Sequence, residues 1–136
     1  MNSPRPLPPR PLSPHLGVYK FMYTMALSIM HRITGGAASV GFIVFVWWLM
    51  ALATGPDAYA SAMAVLSTPL AKLLLVGFTF SFVYHFCNGI RHLVWDTGRG
   101  LERAQARRSG AAVIVAALLL TALVVWLGCR ALAVAP

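Results

Sequence analysis

Apolar and polar positions divide the chain into a proline-studded start and three long apolar runs, separated by two polar breaks. The first run predicts a helix from about Tyr23 to Ala53, with no charge between Ile33 and Ala53. A helix rising ~1.5 Å per residue needs roughly 20 such residues to cross ~30 Å of hydrocarbon. Thr54-Gly55-Pro56-Asp57 ends this run with turn chemistry. The second helix is expected from about Leu66 to Asp96, with Pro69 in its first turn and Lys72 close enough to that end to snorkel. Arg91, His92, Trp95 and Asp96 form an interfacial cluster at its other end. A polar linker, Thr97 to Ser109, precedes a third helix from about Gly110 to Val134, whose end Arg130 marks. Residues 1–22 carry Pro4, Pro6, Pro8, Pro9, Pro11 and Pro14, so they read as an extended arm rather than a helix. They lack a charged start, a long apolar run and a small-residue cleavage site, so they are not a signal peptide. The expected fold is all-α: an integral membrane protein with the arm at 1–22 and a three-helix domain at 23–136. No internal repeat is visible.

Composition agrees. Of 136 residues, 59% are hydrophobic and 10% charged, against roughly 25% charged in soluble domains. A net charge of +8 raises the question of nucleic acid. The basic residues instead flank the apolar runs, where positive charge sets membrane orientation. Three spans put Arg5, Arg10, Lys20, Arg32, Arg91, Arg99, Arg103, Arg107 and Arg108 on one side and only Lys72 and Arg130 on the other. That bias predicts a cytoplasmic N-terminus, or a matrix one in an organelle. Cys87 and Cys129 stand alone in apolar stretches, with no CxxC or CxxCH spacing, and read as apolar side chains.

Ionisable groups at membrane depth cost several kcal/mol and need a reason. His85, in Tyr-His-Phe-Cys-Asn-Gly-Ile-Arg-His, lies about two turns inside the end of the second helix. His85, Gly89 and His92 fall at i, i+4 and i+7 and share one helix face. A neutral imidazole there suits either a haem iron or a hydrogen bond to a neighbouring helix. Gly89 lets a flat macrocycle or another helix come close. His85 and His92 lie ~10.5 Å apart along one helix and cannot clamp one iron between them. If His85 is a ligand, the second ligand comes from elsewhere, most simply another subunit. His92 and Arg91 would then stand near the headgroups, placed for propionates. A second patch is Ser28-Ile29-Met30-His31-Arg32. Its spacing gathers a hydroxyl, an imidazole and a guanidinium. It suits a quinone carbonyl or a propionate, or equally a capping serine beside a snorkelling arginine. Gly35, Gly36, Ala38, Ser39 and Gly41 follow as small residues for close helix packing. Trp47, Trp48 and Trp126 read as interfacial or lipid-facing anchors.

Two motifs carry a family likeness: Arg10 to Lys20 leading into Ser28 to Gly35, and His85 to Gly100. In order and spacing they resemble the cytochrome b subunit of succinate dehydrogenase, respiratory complex II. The likeness spans about three quarters of the chain; the third helix matches in length and hydropathy alone. The resemblance implies half of a heterodimeric helical bundle that shares one haem b with a second hydrophobic anchor subunit. It implies an iron–sulfur subunit and a flavoprotein on the cytoplasmic or matrix face, and ubiquinone as the electron acceptor. It sets His85 as the axial haem ligand, with His31, Arg32, Arg91 and His92 around the haem. It sets Ser28, Ile29 and Arg32 at the quinone. The membrane is then the bacterial inner membrane, or the mitochondrial one in a eukaryote. By itself the chain offers no flavin or cluster ligand set, so it completes an active site rather than containing one. A haem-free structural anchor is the alternative. A transporter or channel component is disfavoured, because the polar groups gather on one side of the membrane.

Overall fold

A computed structural model of the chain describes Pro11 and residues 20–134, apart from the side chains of Leu132 and Val134. Most of the arm expected over residues 1–22, including the motif from Arg10 to Lys20, lies outside the described residues.

Four helices follow one another: α1 (Tyr23–Thr54), α2 (Pro56–Leu66), α3 (Pro69–Asp96) and α4 (Arg103–Val134). Three stretches, Tyr23–Thr54, Pro69–Asp96 and Arg103–Ala131, are long and apolar enough to cross a membrane. The protein is an all-α integral membrane protein. The short helix α2 was not expected. Gly55 turns the chain with φ 138° and ψ 178°, a conformation that suits glycine and the residue before a proline. Pro56 then opens α2, and Asp57 complements the positive end of its dipole. Ala58, Ala60, Ala62 and Ala64 are strong helix formers, and Ala62 is buried. Ser67 ends α2, so α3 begins at Pro69 and not at Leu66; the Thr68 hydroxyl accepts from the Ala71 amide at 3.4 Å.

The linker is also shorter than the pattern of charge indicates. Gly98 and Gly100, each with φ 78°, make the turn after α3. The helix resumes at Arg103, where Glu102 already accepts from the Ala106 amide at 2.8 Å. Polar composition disguised a segment of good helix formers, Arg103 to Arg108.

Helix α3 is central and packs against both α1 and α4. Tyr84, Val113 and Ala117 form the core of the α3–α4 seam, with Phe80, Val83, Cys87 and Ile114 around them. The other buried positions are mostly small or polar: Thr34, Ala38, Ser81, Asn88, Arg91, Ala106 and Thr121. Large apolar side chains such as Ile43, Leu73 and Leu119 point outward. This inversion follows from a lipid solvent, in which helices associate by close packing and hydrogen bonds rather than by hiding apolar surface. Close approach is visible at Gly41, where a Cβ would meet Phe78 at 3.0 Å, and at Gly110, where it would run into Leu27.

Ala117 has no exposed surface. Ala117→Leu should overpack the α3–α4 seam, destabilising it by ~1–3 kcal/mol and lowering Tm of the detergent-solubilised protein.

Candidate functional site

Chemistry gathers where the first turns of α1 cross the last turns of α3. His31 comes from α1; His85 and His92 come from one face of α3. The His31 ring lies flat on the His85 ring, with centroids 4.0 Å apart and planes 8° from parallel. His92 stands 5.1 Å from His31, tilted by 44°. Gly35 makes this possible. A Cβ there would come within 2.8 Å of His85 Cε1. Its role is to admit an imidazole, not the neighbouring backbone its small-residue pattern implied.

One hydrogen bond fixes the His85 ring. Its Nδ1 lies 3.0 Å from the His31 carbonyl oxygen. A carbonyl only accepts, so Nδ1 carries the proton and donates. Nε2 therefore holds a bare lone pair in the ring plane. Metal-bound histidines are oriented by the same kind of bond on the other nitrogen. Thr34, buried one turn on, donates to the same carbonyl at 3.1 Å. His31 Nδ1 is buried with no hydrogen-bond partner among the described residues. Face-to-face stacking leaves the His85 lone pair free, because that pair lies at the ring edge. It also prevents His31 and His85 from flanking one iron, which needs two lone pairs pointing at each other.

These features fit a haem. His85 Nε2 would be free to bind its iron. Gly89, on the next turn of the same face, would carry a Cβ into open space. One turn deeper on the α1–α3 seam, Ala38, Gly41, Phe78 and Phe82 border an apolar groove of about 420 Å³. Among the described residues no group of three His, Cys, Asp or Glu side chains can hold a metal ion.

Arg91 is packed within the chain. It is 7% exposed. Its Nε donates to Ser109 Oγ at 2.9 Å, one terminal nitrogen to Asn88 Oδ1 at 3.2 Å, and the other to the Ala106 carbonyl at 2.9 Å. Its guanidinium also lies 3.9 Å over the Trp95 ring, and Trp95 Nε1 donates to the Gly100 carbonyl at 3.0 Å. Arg91 thus clamps α3 to α4 and the turn between them through three of its five N–H donors. The physical cause is the early start of α4, which brings Ala106 and Ser109 within reach.

Ser28, Ile29 and Arg32 lie further around α1. Arg32 is exposed, Ile29 is 42% exposed and Ser28 is partly buried. Ser28 and Arg32 are ~40° apart around the helix, and Arg32 is ~100° from His31. Arg32 and Ile29 face out, while Ser28, ~60° from His31, lies at the edge between the two faces. The cap of α1 is Met22, so Ser28 is not the capping serine.

Sequence reasoning missed Asn88, Thr34, Ser109 and Tyr84. Tyr84, 1% exposed, donates its hydroxyl to the Leu27 carbonyl at 3.3 Å and ties α3 to α1. Asn88 was findable: it stands three residues before Arg91 and four before His92, the spacing that singled out Ser28, His31 and Arg32. Thr34 and Ser109 gave no signal, because their partners depend on how the helices cross.

The pattern of the succinate dehydrogenase/fumarate reductase transmembrane subunit family matches residues 6–124. The chain belongs to that family. It is 43% identical over 114 residues to the succinate dehydrogenase cytochrome b556 subunit of Paracoccus denitrificans, covering 84% of this chain and 88% of that protein. The cytochrome b556 subunit of Rickettsia prowazekii is 42% identical over 84% of this chain and 89% of its own. The mitochondrial cytochrome b560 subunit of Mus musculus is 44% identical over 81% of this chain and 66% of its own.

Arg91→Met should leave Asn88 Oδ1 without its donor and strip a charged partner from Ala106 and Ser109. A loss of ~2–4 kcal/mol is expected from several charged hydrogen bonds broken together, read as a lowered unfolding midpoint. Arg91→Lys should recover only part of it, since one ammonium cannot reproduce the planar fork.

Proposed function

We propose that this chain is the cytochrome b membrane-anchor subunit of a succinate:quinone oxidoreductase. His85 Nε2 supplies one axial ligand to a haem b shared with a second hydrophobic anchor subunit. Ser28, Ile29 and Arg32 supply this chain's share of the ubiquinone-reduction pocket. The end carrying these residues faces the cytoplasm or matrix, where an iron–sulfur subunit and a flavoprotein dock. The membrane is a bacterial inner membrane, or a mitochondrial one if the source is eukaryotic.

The observation that carries this reading is the bond from His85 Nδ1–H to the His31 carbonyl. It orients the ring and leaves Nε2 as a donor to iron. Gly35 leaves space for the ring, and the residues deeper on the seam are apolar. His31 and His92 lie at the boundary end of the same face, placed for propionates. Orientation is supported by charge: Lys20, Arg32, Arg99, Arg103, Arg107 and Arg108 all lie at or beyond this end. When bound, the haem supplies a one-electron redox centre. At the quinone, Arg32 and Ser28 donate hydrogen bonds to the carbonyl oxygens. Those bonds strengthen as the oxygens gain negative charge, so they favour reduction by two electrons and two protons. Ile29 gives the ring an apolar wall. Ser28 is suited to this, since its hydroxyl has no partner among the described residues, whereas Thr34 and Ser39 hydroxyls return to carbonyls of α1 itself.

In purified complex, His85→Ala should abolish or shift the b-type band of the reduced-minus-oxidised spectrum. An unchanged band would remove His85 as a ligand. Arg32→Leu should lower succinate–ubiquinone activity at least ~10-fold, as expected for loss of one charged hydrogen bond. Succinate oxidation with an artificial dye should be unaffected. Equal loss with both acceptors would place Arg32 in assembly rather than at the quinone.

A further inference from the structure

Asn88 is 1% exposed and lies at the meeting of two networks that the proposed function treats separately. On one side Arg91 donates to its Oδ1 at 3.2 Å. On the other its Nδ2 stands 3.4 Å from His92 Nε2. Chemistry fixes every direction in this chain of contacts. A guanidinium has donors and no acceptor, so the amide oxygen must face Arg91. The amide nitrogen must then face His92, and it too only donates. His92 Nε2 is therefore the acceptor, and the ring proton of the neutral imidazole lies on Nδ1. Arg91 is itself immobilised by Ser109 and Ala106 of α4, so the amide cannot flip without losing its bond to Arg91.

We propose that Asn88 is a positioning residue that locks the His92 tautomer, so that Nδ1–H is presented as a donor to the haem edge. The inference rests on the reading of His92 as a propionate neighbour. It adds a task for a residue that touches neither iron nor porphyrin. Through Arg91 and Asn88, side-chain and backbone groups of α4 are linked to His92.

Asn88→Asp separates this role from simple packing. Aspartate has nearly the same shape and still accepts from Arg91, so the clamp survives. Its other oxygen also accepts, so His92 must now present Nε2–H to it, and in the neutral ring a lone pair turns toward the haem. The test is a double-mutant cycle of Asn88→Asp and His92→Ala in purified complex, reading haem per flavin, haem midpoint potential and the rate of haem transfer to excess apomyoglobin. The expected result is a lower potential and roughly tenfold faster haem transfer in Asn88→Asp, a factor equal to ~1.4 kcal/mol, with most of both effects lost in the His92→Ala background. The carboxylate's own charge would act equally in both backgrounds. Equal shifts with and without His92 therefore overturn the proposal. His92→Ala leaving potential and transfer unchanged overturns the propionate reading beneath it. Infrared redox-difference spectra of histidine-labelled parent complex, with His92→Ala for subtraction, read the tautomer with no change at Asn88. An Nε2–H signal from His92 in the parent also overturns the proposal.

Discussion

Arg91 carries a guanidinium into a packed helix seam of a membrane protein, and the geometry of that end of the bundle follows from satisfying it. A charge at membrane depth costs several kcal/mol unless partners surround it. Here the partners are Asn88 on α3, Ser109 and Ala106 on α4, and the face of Trp95. Two of them exist only because α4 is already helical at Arg103, well before the apolar run begins. The docking height of α4, the turn through Gly98 and Gly100, and the burial of Ala106 are one solution to one electrostatic demand.

The same demand sets the rotation of α3. Ser81, Tyr84, Asn88 and Arg91 form its buried face. At ~100° per residue, His85 and His92 lie ~100–120° around the helix from Arg91. Turning Arg91 toward α4 therefore turns both imidazoles toward α1. There Gly35 leaves room for His85, and the His31 carbonyl accepts the hydrogen bond from its Nδ1–H. Helix α1 divides its own faces in the same manner, with Leu27 and Thr34 inward, Ile29 and Arg32 outward, and Ser28 and His31 half-buried between them.

Much of this was legible in the chain, because lipid imposes simple rules. Uninterrupted apolar runs marked all three spans, and isolated ionisable residues marked the site. Periodicity also placed His85, Gly89 and His92 on one face before any coordinates. What it could not give was the partner across each seam. The partners of Arg91 stay hidden until α4 is known to begin at Arg103, and that segment reads as a linker because it is polar. Gly35 reads as one small residue in a series until His85 is found against it. Helix α2 was hidden because Thr54 to Asp57 signals a turn, and nothing in that signal says that a second helix starts within it.

The distribution of polar groups also limits what the fold can do. Away from the site, hydroxyls within the spans mostly satisfy themselves: Ser39 returns to Gly35, Thr54 to Met50 and Thr79 to Leu75, each one turn back along its own helix. Such bonds keep a polar side chain quiet in hydrocarbon and leave no donor for a neighbour. Thr121, buried on α4 with no partner among the described residues, is an isolated point and not a chain. A proton or ion path needs contiguous groups through the membrane depth. The described residues instead concentrate imidazole, guanidinium and amide groups at one end and close the rest with small and aromatic side chains. That asymmetry explains why the third span can be built from Ala, Val and Leu with almost no chemistry of its own.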